Sequence, residues 1–317
     1  MSTLSVRLAK KTQETVNIAS FEFVSLDGAD LPAFEAGAHV DFHLAGGLVR
    51  SYSIYTDAKD KQRYGFGVLL ESQSRGGSQA MHALQVGDVV SISAPKNLFP
   101  LVQATEHLLL AGGIGITPIL SMAQQLTHQG QVFALHYAAR SKSTAAFLDL
   151  LANSGFAAQV HHHFDDGAPE QQLNLGTVLA QPQAGKHLYV CGPQGLIDAT
   201  LRQAEQLGWA KENVHYELFG AQVVQLEGDQ SFSVVLQSTG QTLEVPADKT
   251  VIQVLHAAGI DVPIACEQGV CGTCLTRVLS GVPDHRDMYL TPEEQAANDQ
   301  FTPCCSRSKS AVLTLGI

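Results

Sequence analysis

The sequence predicts a multidomain chain of three folded units: an antiparallel β-barrel, a doubly wound α/β unit and a small α+β unit of the β-grasp kind. Two changes of pattern along the 317 residues predict this division. Residues 1 to about 102 hold short β-prone runs broken by Gly, Pro and Asp. From about Glu106 apolar strands alternate with helices, the pattern of parallel strands buried on both faces. From Ser231, after a linker-like stretch at 222–230, the pattern returns to strands around one helix.

In the first unit the runs SVRLAKK, ASFEFVSL, HVDFHL, LVRSYSIYT, YGFGVLLES and VVSISAP are expected to close into a small barrel. One helix, SQAMHALQ, interrupts them directly after RGG. In the second unit HLLLA leads to GGIGITPILSMAQQL, QVFALHYAA to STAAFLDLLAN, and KHLYV to CGPQGLIDATLRQAEQLG. The third opens with the hairpin SFSVVLQSTGQTLEVPA, turning at Thr239–Gly240, followed by helix TVIQVLHAAG. A cysteine loop, strand LTRVLSG, short helix TPEEQAAN and strand AVLTLGI complete it. Thr291 is placed to cap the short helix, with Pro292 at its first position and Glu294 reaching back.

A formal net charge of −11 argues against nucleic acid or an anionic membrane surface as partner. No segment approaches the roughly 18 apolar residues of a membrane span. The start, MSTLSVRLAKKTQ, lacks the apolar stretch of a secretory signal, so a cytoplasmic location is expected. In such a chain the six cysteines read as a metal site in a reducing compartment rather than as disulfides.

Several short motifs carry chemistry. AGGIGITP, Ala111 to Pro118, joins an apolar strand to a helix start, where free N–H groups and positive potential suit a phosphate. It also reads as a tight strand–helix turn, and it lacks the last glycine of the usual dinucleotide fingerprint. YVCGPQG repeats the arrangement and puts Cys191 at the carboxyl end of its strand, the edge where open α/β sheets bind ligands. SRGGSQAMHAL, from Ser74, brings a guanidinium, glycines and a hydroxyl to another helix start. RSYS lies on a barrel strand, with Arg50 and Tyr52 on one face by alternation.

CEQGVCGTC, Cys266 to Cys274, followed by a long gap to Cys304, is the C-x4-C-x2-C spacing of a plant-type [2Fe–2S] site. Gly269 and Gly272 let backbone N–H groups point at the cluster sulfurs. Structural zinc is the rival, but it favours paired short spacings at both ends, whereas the far end here is the adjacent pair Cys304–Cys305. His161, His162 and His163 end a strand without a cysteine or Glu-x-x-His companion and read as surface histidines. Asp165 and Asp166 follow at once in DDG, a turn signal; if a dinucleotide binds there, as it does in related NADPH enzymes, the carboxylates would accept ribose hydroxyls and repel a 2′-phosphate, favouring NADH.

RSYS, SRGGS, GGIGITP and CGP, in that order and with a C-terminal cysteine cluster, resemble the phthalate dioxygenase reductase family of oxygenase reductases, which includes vanillate O-demethylase reductases. The resemblance spans the whole chain and implies an FMN-binding β-barrel domain at 1–102, an NAD-binding domain at 103–224 and a ferredoxin domain at 231–317. It implies FMN rather than FAD, because relatives with FAD carry their iron–sulfur domain at the N-terminus or lack one. By position, Arg50, Ser51 and Arg75–Ser78 (with Gly76 and Gly77) would hold the FMN. Tyr52 would pack on its ring, and Ser53 would hydrogen-bond near its N5. Gly112, Gly113, Gly115, Thr117, Pro118, Arg140, Asp165, Gly192 and Pro193 would line the dinucleotide site. Cys191 would sit by the nicotinamide, and Phe219 would shield the flavin or serve as an interface core residue.

NADH delivers electrons in pairs, a [2Fe–2S] cluster accepts them singly, and flavin does both; the expected chemistry needs no general base. The resemblance implies a monomeric NADH-dependent reductase serving a separate terminal oxygenase of the Rieske type, with aromatic O-demethylation such as that of vanillate as first guess. A free-standing flavin or quinone reductase and a zinc-bearing interaction module are the alternatives. Asp284, Asp287, Glu293, Glu294 and Asp299 form an acidic segment, either a solvated face or a docking edge. Cys266, Cys271, Cys274 and Cys304 are the expected ligands. Residues 304–305 are expected to be extended, so that their sulfurs project to opposite sides and only one faces the cluster. In the family the position before x-Ser-Arg is the ligand, here Cys304.

Overall fold

The computed structural model describes residues 3–72, 76–219, 228–264, 267, 269, 272–287 and 289–317. The chain divides into two compact units, residues 1–219 and 220–317, and the first of them contains two sheets.

The first sheet consists of β1 (Thr3–Gln13), β2 (Ile18–Ser25), β3 (His39–His43), β4 (Val49–Ser53), β5 (Arg63–Leu69) and β6 (Val89–Ser93), with α1 (Gly77–Ala83) between the last two. Its order is β4–β3–β6–β1–β2–β5, with every neighbour antiparallel. The outer strands meet beyond Ser53: Ile54 bridges Phe66, and Tyr55 N donates to Gly65 O at 2.9 Å. The sheet therefore closes on itself and leaves no long unpaired edge. Alternation sends Phe21, Phe23, Phe42 and Phe66 inward. Phe42 meets Phe66 edge-on at 4.8 Å, a pairing worth about 0.5–1.5 kcal/mol beyond its burial.

The second sheet follows the order β7 (Glu106–Gly112), α2 (Ile116–His128), β8 (Phe133–Ala139), α3 (Leu148–Ala152), β9 (Val160–Phe164), α4 (Leu175–Val178), β10 (Lys186–Gly192), α5 (Gln194–Gln206) and β11 (Val214–Leu218). All strands are parallel, arranged β11–β10–β7–β8–β9. Leu109 and Ala111 face one hydrophobic core and Leu108 and Leu110 another, which is why β7 reads as an unbroken apolar run. The chain leaves β7 toward β8 and later returns to place β10 on its other side. That reversal opens a crevice at the carboxyl ends of β7 and β10.

Helix α2 joins the two sheets of this unit. Ser121 Oγ donates to Thr56 O at 3.2 Å, Gln124 Nε2 to Tyr55 O at 2.8 Å, and Gln125 Oε1 accepts from Ala36 N at 3.2 Å. Tyr55 packs on Phe147 at 4.8 Å.

The second unit contains β12 (Phe232–Leu236), β13 (Thr242–Val245), α6 (Val251–Ala257), β14 (Thr276–Ser280), β15 (Pro283–Asp284), α7 (Pro292–Ala297), β16 (Gln300–Phe301), β17 (Arg307–Ser308) and β18 (Val312–Leu315). The mixed sheet β13–β12–β18–β14–β16 has one parallel pair, β12–β18, and buries Val251, Ile252 and Leu255 of α6. Both helix starts are capped as their sequences require, Thr250 with Gln253 and Thr291 with Glu294. The expected linker lies outside the described residues up to 227. At its end Asp229 pairs with Arg286, and Arg307 donates to Gln230 O at 3.1 Å.

Candidate functional site

On β4, Arg50 and Tyr52 share a face as alternation predicts, and Tyr52 meets Phe42 edge-on at 5.6 Å. Arg50 Nη1 donates to Val49 O at 2.8 Å, and its stem lies against the start of α1. A Cβ on Gly77 would stand 2.5 Å from Arg50 Cγ, so residue 77 must be glycine for the arginine to lie there. Burial pushes the Arg50 pKa down and raises that of Tyr52 to about 12, against the opposing charge of Arg50. Glu71 N donates to Ser78 Oγ at 3.2 Å, and Gly76 begins the helix. Arg75 lies outside the described residues. The hydroxyl of Ser51 donates to Asp41 Oδ1 at 2.6 Å, and Lys96 occupies the other oxygen.

At the carboxyl edge of the parallel sheet the two Gly-rich turns interlock. A Cβ on Gly115 would stand 2.3 Å from Cys191 O, and one on Gly192 would stand 2.9 Å from Gly112 Cα. Only glycine permits this approach, which brings the ends of β7 and β10 together. Gly113 is half-buried beside them, and Pro193 caps α5. Pro118 lies in the first turn of α2. The Thr117 hydroxyl turns inward to Ile114 O at 3.1 Å, so it secures the helix start rather than lining the crevice. Asp165 and Asp166 are exposed in a turn after β9. Their amides donate to Ala139 O and Arg140 O, each at 3.1 Å, which ties the carboxylates to the end of β8.

Glu217 is the residue the sequence reading missed. It is the in-register partner of Cys191 across β10–β11, and the Ser53 side chain hydrogen-bonds its carboxyl. The residue is half-buried overall, but Oε2 is sealed from solvent and has no hydrogen-bond partner. Burial pushes its pKa up to about 8, so the carboxyl stays neutral at pH 7 and can donate a hydrogen bond. An acidic residue inside the half-apolar strand VHYEL was the available signal. Burial, then the Glu217 carboxylate, pushes the Cys191 thiol up. Phe219, two residues further on, is 39% exposed. An orphaned oxygen beside a hydroxyl, with an aromatic and a guanidinium on the same barrel strand, fits a flavin. The interlocked turns fit a dinucleotide.

In the second unit Cys274 and Cys304 are buried and Cys305 is half-buried. The sulfurs of Cys274 and then Cys305 hydrogen-bond that of Cys304, pushing its thiol up; the same bond from Cys304 lowers Cys305 to about 7. Sulfurs gathered at one point are the donor chemistry of an iron–sulfur site. Cys266 and Cys271 lie outside the described residues, and among the described residues no three or more His, Cys, Asp or Glu side chains are arranged to hold a metal ion. Gly272 has φ +68°, and a side chain there would strike the Tyr289 ring.

Three expectations change. Residues 302–306 form a turn, with Cys305 N and Ser306 N both bonded to Thr302 O, so the two cysteines are not extended and their sulfurs remain neighbours. Of the acidic segment, Asp287 is buried and accepts from Leu290 N, Asp284 pairs with Arg286, and Glu294 caps α7; Glu293 and Asp299 remain simply exposed. The histidine tract has a companion on the adjacent strand, His136.

A closed barrel joined to a doubly wound sheet, followed by a cysteine-bearing β-grasp unit, defines a modular electron-transfer reductase. Residues 234–309 match the 2Fe-2S iron-sulfur cluster binding domain, and residues 91–214 match the N-terminal domain of dimethylamine monooxygenase subunit DmmA-like proteins. The chain is 55% identical to the vanillate O-demethylase oxidoreductase of Pseudomonas sp. (strain HR199 / DSM 7063), over 95% of this chain and 96% of that one. It is 38% identical to the phthalate dioxygenase reductase of Burkholderia cepacia, over 99% of this chain and 97% of that one. A solved phthalate dioxygenase reductase, described as a modular structure for electron transfer from pyridine nucleotides to [2Fe-2S], covers 100% of this chain and 98% of its own, with TM-score 0.77 and 38% identity. The chain belongs to the phthalate dioxygenase reductase family, the electron-transfer reductases of oxygenase systems. Among the described residues, no helix is long and apolar enough to cross a membrane.

Proposed function

We propose that the chain carries electrons from NADH, through FMN and a [2Fe–2S] cluster, to a separate terminal oxygenase in the cytoplasm. The carrying observation is the meeting of Ser53, Cys191 and Glu217, where a barrel strand and the edge of the parallel sheet share one junction. Arg50 and Arg75–Ser78 would bind the FMN phosphate, with Tyr52 and Phe219 as aromatic walls. Gly112, Gly113, Gly115, Pro118, Arg140, Asp165, Gly192 and Pro193 would bind NADH, with Thr117 securing the helix start and Cys191 packed beside the nicotinamide. Cys266, Cys271, Cys274 and Cys304 would bind the cluster; the burial of Cys304 against Cys274 favours it over Cys305. FMN, when bound, takes electrons in pairs and releases them singly, matching a two-electron donor to a one-electron cluster. Ser53 orients the Glu217 carboxyl, and Glu217 holds a proton at the junction near pH 7. The proposed domains are 1–102, 103–224 and 231–317.

The partner's reaction is aromatic O-demethylation, supported by the 55% identity to a vanillate O-demethylase oxidoreductase. The test is reconstitution of the purified holo-protein with a vanillate-demethylating oxygenase, after flavin extraction and iron analysis. NADH-dependent vanillate turnover with extracted FMN is the expected result. FAD in the extract, or electrons reaching only free flavin or quinone, would replace this reading with a free-standing reductase.

A further inference from the structure

Three histidines gather on one face of the sheet at its β8–β9 edge. His136 on β8 is the in-register partner of His161 on β9, and alternation puts His163 on the same face. The His136 and His163 rings lie within 15° of one plane, with Nδ1 of His136 2.9 Å from Nε2 of His163. His161 stacks on His136 at 4.7 Å. An N–H···N bond needs one donor and one acceptor nitrogen. His163 Nδ1 is sealed from solvent, and the backbone of Gln172 and Gln171 packs against the ring on the side that favours its protonated form. Between two neutral rings one nitrogen donates and the other accepts, and either tautomer pair satisfies the bond.

His163 stands two residues before Asp165. The backbone of Gln172 and Gln171 faces its ring. Gln172 Nε2 reaches back to Asp165 O at 3.1 Å and Gly167 O at 3.4 Å, while Asp165 N is held by Ala139 O of β8. The turn with the two carboxylates is thus anchored to β8 on one side and to the segment packed on His163 on the other.

We propose that His136 and His163 are positioning residues for NADH: their hydrogen bond holds the Asp165 turn in its coenzyme-binding place, and double protonation releases it. This rests on the reading of Asp165 as a ribose ligand. The groups acting on His136 are His161 and His163 from β9 and Lys186 from β10, the last paired with Glu106 at 2.7 Å. His161 and His162 act on His163, and Lys142 on His162. Burial and then these basic neighbours push His136 down to about 4, and burial lowers His163. Both rings are neutral at pH 7. One added proton keeps an N–H···N bond; a second sets two N–H groups face to face. Because the folded pKa values lie below the ordinary value of about 6.5, the order is complete above that pH and is lost as pH falls toward 4.

The test measures steady-state NADH oxidation by the holo-protein with ferricyanide, between pH 3.5 and 8. His136→Leu should raise KM for NADH about 2- to 10-fold at pH 7.5 with kcat unchanged, the range expected for one lost hydrogen bond. His136→Asn keeps an amide that can donate or accept near the Nδ1 position but does not titrate. It should keep the wild-type KM at pH 7.5 and flatten the acid rise of KM expected of the wild type. A wild-type KM in His136→Leu, or an acid rise unchanged in His136→Asn, overturns the inference. Asp165→Asn separates it from its basis. If that change raises KM and His136→Leu does not, positioning fails alone; if Asp165→Asn leaves KM unchanged, the ribose reading fails and the inference with it.

Discussion

Cys191 and Cys304 are both buried thiols, one at the carboxyl edge of the parallel sheet and the other in the cysteine end of the second unit. Among the described residues Cys191 has no sulfur partner: its neighbours are the backbones of Gly115 and Ala111 and, on the adjacent strand, Glu217. Desolvation keeps such a thiol protonated and inert, a small side chain that lets other groups approach. Around Cys304 the sulfurs of Cys274 and Cys305 lie within hydrogen-bonding reach. Burial is shared by both sites. What differs is company, and company decides whether a thiol is packing material or a metal ligand.

The largest effect expected from this contrast is spectroscopic. Cys304→Ser should abolish or severely alter the visible [2Fe–2S] absorption, while Cys305→Ser and Cys191→Ala should leave the cluster spectrum and iron content near wild type. The opposite result for the adjacent pair would exchange their roles, and the turn at 302–306 makes that exchange sterically open.

Next in size is Arg50→Ala. Charge-assisted contacts are worth about 1.5–3 kcal/mol, so FMN affinity should fall roughly 10- to 150-fold with the cluster absorbance retained. Gel filtration followed by flavin extraction reads it; full retention of FMN would remove Arg50 from the site.

Glu217 sharpens the comparison from the other side, because its carboxyl is what the Cys191 site has in place of sulfur neighbours. Its folded pKa of about 8 lies above the ordinary glutamate value of about 4.3. A raised carboxyl pKa means that the folded state binds more protons, so this contribution to stability is present at low pH and is lost as pH rises through 8. Glu217→Gln should therefore gain on wild type in Tm between pH 6 and 9, by a few degrees, as thermal melts of the holo-protein would show. A pH-independent difference would mean that the carboxyl is not buried in solution.

The smallest expected effect concerns coenzyme choice. NADH should be used with higher kcat/KM than NADPH, and Asp165→Ser should narrow that ratio by several-fold, about the worth of one charge contact near a surface. Equal efficiency of the two coenzymes in the wild-type protein would detach Asp165 and Asp166 from that role.

Patterns within a few neighbouring residues were enough to determine the strands of the barrel, the alternation of the second sheet and both capped helices of the second unit. Propensity, period and capping act over one or two turns of chain, and nothing distant has to be known. The C-x4-C-x2-C spacing is local in the same sense, a pattern legible within nine neighbouring residues. Tertiary structure decided whatever depends on two segments meeting. Glu217 looks like an ordinary strand residue until Ser53, from another sheet, hydrogen-bonds it and the junction seals its Oε2. His163 acquires a partner only because β9 pairs in register with β8. Asp287, which reads as a surface charge, is buried where Ser306 Oγ, nineteen residues on, donates to its carboxylate. Burial and partnership are properties of pairs far apart in the chain, and the protonation state of a side chain follows from those pairs rather than from its sequence neighbours.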